Sequence, residues 1–125
     1  MDKPAGAPLL LGVDQALVRR TQTARRLRST FLSAELFTDP AWDMLLELFA
    51  RELGEESISA SEICAVAGVG ASSARRWLEA LEEKGLIERA SQARNDNDDW
   101  IKLSAKGSAQ MQRYFAAVAT TSPPV

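Results

Sequence analysis

Histidine is missing from this chain altogether, and cysteine occurs once, at position 64. The first absence removes imidazole general bases and His-ligated metals; the second removes intramolecular disulfides and zinc-ribbon spacings. No enzymatic activity, metal site or cofactor is expected. Charge of neither sign dominates: 15 Lys and Arg face 17 Asp and Glu, a net charge of -2, so any basic surface must be local. Long apolar runs are lacking too. None approaches the roughly 20 residues that a bilayer-spanning helix needs. The N-terminal APLLLGV is short, follows a single lysine and runs into Asp14 where a leader would carry small residues. A cytoplasmic protein without a membrane segment is the expectation.

What is present is a 125-residue chain with 46% hydrophobic residues, enough for one domain with its own core and too little for two. Residues 1–13 and 120–125 contain proline and lack helical pattern, so flexible ends flank a single domain over 14–119. From Asp14 to Ala34 the spacing predicts a helix, with Leu17, Ala24, Leu27 and Phe31 on one side. Five arginines (Arg19, Arg20, Arg25, Arg26 and Arg28) crowd it, some of them snorkelling along a packed surface. A second helix begins at Asp39-Pro40, runs through Trp42, Leu45, Leu46, Phe49 and Leu53, and stops at Gly54. After a bridge containing Ile58, the stretch SASE offers a capping box between Ser59 and Glu62 for a short helix that ends at Gly68.

A longer helix spans 71–84, with Ala74, Trp77, Leu78 and Leu81 facing the core and Gly85 in the left-handed position just past its end. Then the period changes: LIER leads out and WIKL returns as a hairpin over about 86–103, with Ile101 and Leu103 on one face. Ser104 restarts a helix carrying Met111, Tyr114, Phe115 and Val118. Helix, short helix, turn, longer helix and hairpin is the order of a winged helix-turn-helix. The fold class is mainly α with a small β-hairpin, the helix-turn-helix occupying about 59–84 between flanking N- and C-terminal helices.

In that order the helix 71–84 is the one that enters the major groove of DNA. With its apolar residues inward, Ser72 and Arg76 project outward and Ser73 and Arg75 flank them. Serine can donate to phosphates or base edges, and an arginine can hold a guanine through two acceptors, worth about 1–3 kcal/mol of discrimination. The competing reading of Arg75 is an i,i+4 surface pair with Glu79. Acidic and basic residues balance over 69–89, so only the placement of Arg75 and Arg76 in the N-terminal half favours DNA.

The segment SISASEICAVAGVGASSARRWLEALEEKGLIER, with WIKLSAKG after the hairpin, resembles the MarR-type transcriptional regulators. The resemblance implies a sequence-specific DNA-binding regulator, a repressor in kind, that pairs as a homodimer through its N- and C-terminal helices. It also implies basic wing-tip residues, and here the chain departs from the pattern: Gln92, Asp96 and Asn97 fall where an aspartate and arginines are expected, leaving Arg94 as the one candidate contact or, equally, a solvated loop arginine paired with a neighbouring aspartate. A carboxylate beside phosphate is repelled, so the wing should contribute weakly. The cluster Asp96, Asp98 and Asp99 reads as solvated charge, since the glycine and terminal glutamate of a calcium loop are absent.

The arginines of 19–28 then have two readings, a basic flank to the duplex or the solvated face of a dimerisation helix; the pairing role implied by the resemblance favours the second. Cys64 reads as a small buried hydrophobe over a redox sensor. Trp42 and Trp77 read as core, and Trp100 as packed at the wing base. A different class of function keeps the fold without DNA: a winged-helix interaction module, adaptor or antirepressor. Operator, regulated genes and any small-molecule effector stay open.

Overall fold

The computed structural model describes residues 12–33, 38–93 and 98–120, with residues 91–93 as backbone only. The order is α1 (Gln15–Phe31), α2 (Pro40–Leu53), β1 (Ile58–Ser59), α3 (Ala60–Val66), α4 (Ala71–Glu83), β2 (Ile87–Ala93), β3 (Asp99–Leu103) and α5 (Ala105–Ala119). The local signals act where the sequence places them. Asp14 accepts from the Leu17 amide at 3.0 Å and Asp39 from the Trp42 amide at 3.4 Å. Ser59 and Glu62 close their reciprocal box at 3.2 and 2.9 Å, and Ser104 accepts from the Gly107 amide at 3.0 Å. Each satisfies an amide that the first helical turn leaves unpaired.

Gly85 takes φ +76°, and the amides of Gly85 and Leu86 reach back to the carbonyls of Glu82 and Leu81 at 3.0 and 3.1 Å. This double closure ends α4 sharply and turns the chain straight into the sheet. Gly107 serves a different need. A Cβ there would collide with the Leu86 carbonyl oxygen, so the start of α5 is pressed against the turn that α4 ends in.

The sheet is three-stranded and antiparallel in the order β1-β3-β2. The Ile58 bridge is thus a short strand, Ile58 pairing with Ile101 and Ser59 with Trp100. Ile58, Ile87, Ile101 and Leu103 turn inward from the sheet to meet Met44, Phe49, Ile63, Ala74, Leu78, Met111 and Phe115, forming one core between sheet and helices. Phe49 and Phe115 stack with centroids 5.8 Å apart, joining α2 to α5. Val13 is buried as well, so the packed body begins just before α1.

One helix face departs from expectation. α1 lies antiparallel along α2, but its buried residues are Val18 and Gln22, while Leu27 and Phe31 are exposed, Phe31 by 81%. The predicted stripe of Leu17, Ala24, Leu27 and Phe31 therefore points away from the core except at Leu17. The reason is the partner surface: α2 presents the carboxylates of Glu47 and Asp43 along this side. Gln22 Nε2 donates to Glu47 Oε1 at 2.9 Å, Arg19 donates to the same oxygen at 2.8 Å, and Arg25 Nε donates to Asp43 Oδ1 at 2.7 Å. Turning the apolar stripe onto α2 would desolvate these carboxylates without partners, which costs more than leaving a leucine in water, so the polar side of α1 is the side that docks.

Candidate nucleic-acid interface

The core positions of α4 are Ala74, Leu78 and Leu81, all buried. At 100° per residue they fix the rest of the helix: Ser72 and Arg76 lie on the opposite side, with Ser73 and Arg75 on the two flanks. Ser72, Arg75 and Arg76 are exposed and Ser73 is half-buried. Among the described residues neither arginine accepts an ion pair or donates a hydrogen bond, so the surface pair between Arg75 and Glu79 does not form. The four α-helical candidates share one outward surface; Arg94 lies outside the described residues.

Trp77 corrects the sequence reading. It is 44% exposed and does not belong to the core. Three buried residues, Ala74, Leu78 and Leu81, already occupy the inward arc, and Trp77 falls about 60° off its centre, where the helix surface begins to meet water. The outward placement of Ser72 and Arg76 survives, because it is set by the aliphatic trio alone.

The opposite flank of α4 faces the wing. Arg89 of β2 donates to Glu82 Oε1 at 3.2 Å and to Asp99 Oδ2 at 3.4 Å, bridging helix and hairpin. Asp98 Oδ1 accepts from the Ser61 amide at 2.9 Å, at the open first turn of α3. Two of the three wing aspartates are therefore engaged within the domain and are not simply solvated charge; Asp96 lies outside the described residues. β2 also takes four residue steps, from Arg89 to Ala93, where β3 takes two, from Ile101 to Asp99, so the hairpin is bulged beyond its base. Sequence gave no signal for the contact between Asp98 and Ser61, which joins positions 37 residues apart.

The arginines of α1 divide. Arg19 and Arg25 are tied to α2 as described above, and Arg51 adds a second cationic contact to Glu47 at 2.8 Å. Burial alone would raise the Glu47 carboxyl, but the hydrogen bonds from Arg19, Arg51 and Gln22 outweigh it and hold it below the usual carboxylate range. A cleft of about 430 Å³ opens between α1, α2 and the end of α3, with Arg25, Arg26, Thr30 and Asp43 on its walls. Cys64 packs against the core, and burial pushes its thiol up despite the nearby Arg75 and Arg89, which disfavours a reactive thiolate. Trp100 is half-buried at the wing base, and Trp42 meets Tyr114 edge-on at 5.0 Å.

Residues 44–91, from α2 into β2, match the family model described as the IclR helix-turn-helix domain. No curated protein matches the chain in sequence. Among solved structures, MepR of S. aureus in its DNA-binding conformation superimposes with a TM-score of 0.54 at 17% identity, over 83% of this chain and 74% of that one. A cysteine-to-serine mutant of MarR from E. coli gives 0.53 at 22% identity, over 92% and 80%. A protein of Archaeoglobus fulgidus gives 0.51 at 20%, over 76% and 99%. The class defined by fold and matched segment is the winged helix-turn-helix, mainly α with a small antiparallel sheet, and its architecture is that of the MarR-type structures. Among the described residues no helix is long and apolar enough to cross a membrane.

Proposed function

We propose that the protein is a cytoplasmic, MarR-like transcriptional repressor that reads the major groove of DNA with α4. The observation that carries this reading is the pair Ser72 and Arg76, exposed on the outward side of the helix and unengaged by described neighbours, beside an equally unpaired Arg75. A guanidinium with no partner among the described residues is available for the two acceptors of a guanine or for phosphate. Ser72, Ser73 and Arg75 supply the surrounding base and phosphate contacts, with Arg94 secondary. The wing base does not oppose this: Asp98 and Asp99 are directed at Ser61 and Arg89, which lowers their repulsion of a phosphate strand.

Such a reader works as a homodimer on a near-palindromic site, its two α4 helices roughly 34 Å apart in successive grooves. Support comes from the apolar side chains left outside the core: Leu27, Phe31 and Leu32 of the α1 end, and Tyr114 and Val118 of α5. Because α1 and α5 both run antiparallel to α2, these residues lie toward the end of the domain where α2 begins. A second copy covering them would bury apolar side chains that an isolated domain leaves in water.

The test is a titration against duplexes enriched from a random library. Arg76→Ala is expected to weaken specific binding by about 10- to 100-fold, the equivalent of about 1–3 kcal/mol. Arg113→Ala, which removes the same charge from the exposed face of α5, is the control and should leave affinity within about twofold. Equal losses would remove α4 from the reading role. Failure to enrich any duplex at low salt would favour the adaptor reading instead, since phosphate contacts necessarily give salt-dependent affinity.

A further inference from the structure

Trp77 is the large apolar side chain that α4 leaves in water. Its indole lies in a shallow open hollow of about 330 Å³ with Ser73, Arg76 and Ala80, and it takes no part in the ring contacts among Trp42, Phe49, Tyr114 and Phe115. Exposing half an indole costs apolar burial that a polar residue there would not forgo. The two flanks of α4 are also unlike. Arg75 and Glu82 lie on the side that faces the wing, where Glu82 meets Arg89; Ser73, Trp77 and Ala80 lie on the side turned away from it.

A helix about 10–12 Å across fills a major groove about 12 Å wide, so both flanks reach the groove when the outward side is inserted. What the groove offers to an apolar flank is limited. Base edges there present hydrogen-bonding atoms, with one apolar exception, the C5 methyl of thymine. Trp77 follows Arg76 directly and sits one turn beyond Ser73, and its indole is the one large apolar group on this flank that can extend toward the base step next to the one assigned above to Arg76.

We propose that Trp77 is a specificity-determining residue that packs on a thymine methyl adjoining the guanine read by Arg76. The inference rests on the DNA-reading function proposed above and adds to it the identity of a neighbouring base. Hydrogen-bonding side chains alone would leave that position degenerate; an indole wall makes it prefer a methyl.

The experiment uses duplexes enriched by the wild-type protein, with each thymine replaced in turn by deoxyuridine, which pairs identically and lacks only the methyl. One replacement is expected to weaken wild-type binding by about fourfold, the worth of one buried methyl. Trp77→Ala should lose at least that factor on the thymine duplex and be indifferent to the same replacement, while Trp77→Phe keeps part of the discrimination. Circular dichroism on each variant confirms folding. If wild-type affinity is unchanged by every deoxyuridine, or Trp77→Ala remains sensitive to it, the assignment is overturned even though DNA binding stands. If no duplex is enriched, the DNA-reading function fails and this inference fails with it.

Discussion

Arginines on α1 and arginines on α4 meet opposite fates within one small domain. Arg19 and Arg25 are drawn onto α2, where Glu47 collects Arg19, Arg51 and Gln22, and Asp43 takes Arg25. Arg75 and Arg76 have glutamates on their own helix, yet form no ion pair with any described residue. The difference lies in what the facing surface offers. α2 places its carboxylates under α1, whereas the outward side of α4 faces no other element among the described residues. A guanidinium becomes structural where the fold supplies an acceptor and stays available where it does not, so composition alone cannot tell the two apart.

The largest effect expected from breaking this contrast is at Glu47. Glu47→Ala leaves Gln22 and two guanidinium groups without their shared acceptor in the α1/α2 seam. Full burial would put the cost at about 3–5 kcal/mol. Because the arginines keep partial access to water, with Arg19 40% exposed at its side chain, about 2–3 kcal/mol is expected. Urea denaturation measures it. Arg76→Ala, by comparison, should stay within about 0.5 kcal/mol of wild type in the same experiment, since it gives up no described contact. Comparable destabilisation by both would erase the distinction.

Acid sharpens the same contrast. The folded Glu47 carboxyl titrates below its ordinary range, so the folded chain binds its proton less readily than the unfolded chain does. Its contribution to stability is complete above the unfolded value of about 4.3 and is lost as pH falls through the lower folded value. Glu52 behaves in the opposite sense. Burial raises its carboxyl, only partly offset by the Ser108 hydroxyl that donates to it at 2.5 Å. Ionised Glu52 is therefore unfavourable near neutrality, and acidification first relieves that cost before Glu47 is lost. Stability followed by urea denaturation should peak on the acid side of neutral. Glu52→Gln should flatten the limb above the peak and leave the steep acid limb in place.

A smaller effect separates the two wing aspartates from ordinary surface charge. Asp98 holds the hairpin to the first turn of α3 through the Ser61 amide, a contact resembling a helix N-cap. Asp98→Ala is expected to cost about 1 kcal/mol, typical of a lost cap, and hydrogen exchange should quicken at the Ser61 amide specifically. Unchanged exchange there would mean that the contact does not hold the wing in solution.

Much of this architecture is written in short-range patterns. Asp14, Asp39, Ser59 with Glu62, Gly85 and Ser104 each act within a few residues, and each boundary they predict is found. The aliphatic trio of α4 has helical spacing, which by itself turns Ser72 and Arg76 outward. Hydrophobicity alone places Trp77 inward, but Ala74, Leu78 and Leu81 already fill that arc and the indole is left at the surface. The apolar stripe on α1 misleads for the converse reason: the docking face of that helix is polar, chosen by carboxylates on α2 that lie 18 to 28 residues away in sequence. The pairing of Ile58 with Ile101 and the hold of Asp98 on Ser61 are set by tertiary register, which no local period encodes.

The smallest expected effect lies on the outer face of the same hairpin. Lys102 and Glu88 stand opposite each other on β3 and β2, 3.5 Å apart, with side chains 64% and 51% exposed. Two long side chains must be ordered to hold this pair, and solvent screens what they gain, so exposed pairs contribute little. Lys102→Ala should shift stability by no more than about 0.5 kcal/mol, and raising the salt concentration should abolish the shift. A loss as large as that of Asp98→Ala would show that the cross-strand pair, and not the contact with α3, fixes the wing. The hairpin would then be held from its solvent face, and its orientation would no longer depend on the helix-turn-helix beneath it.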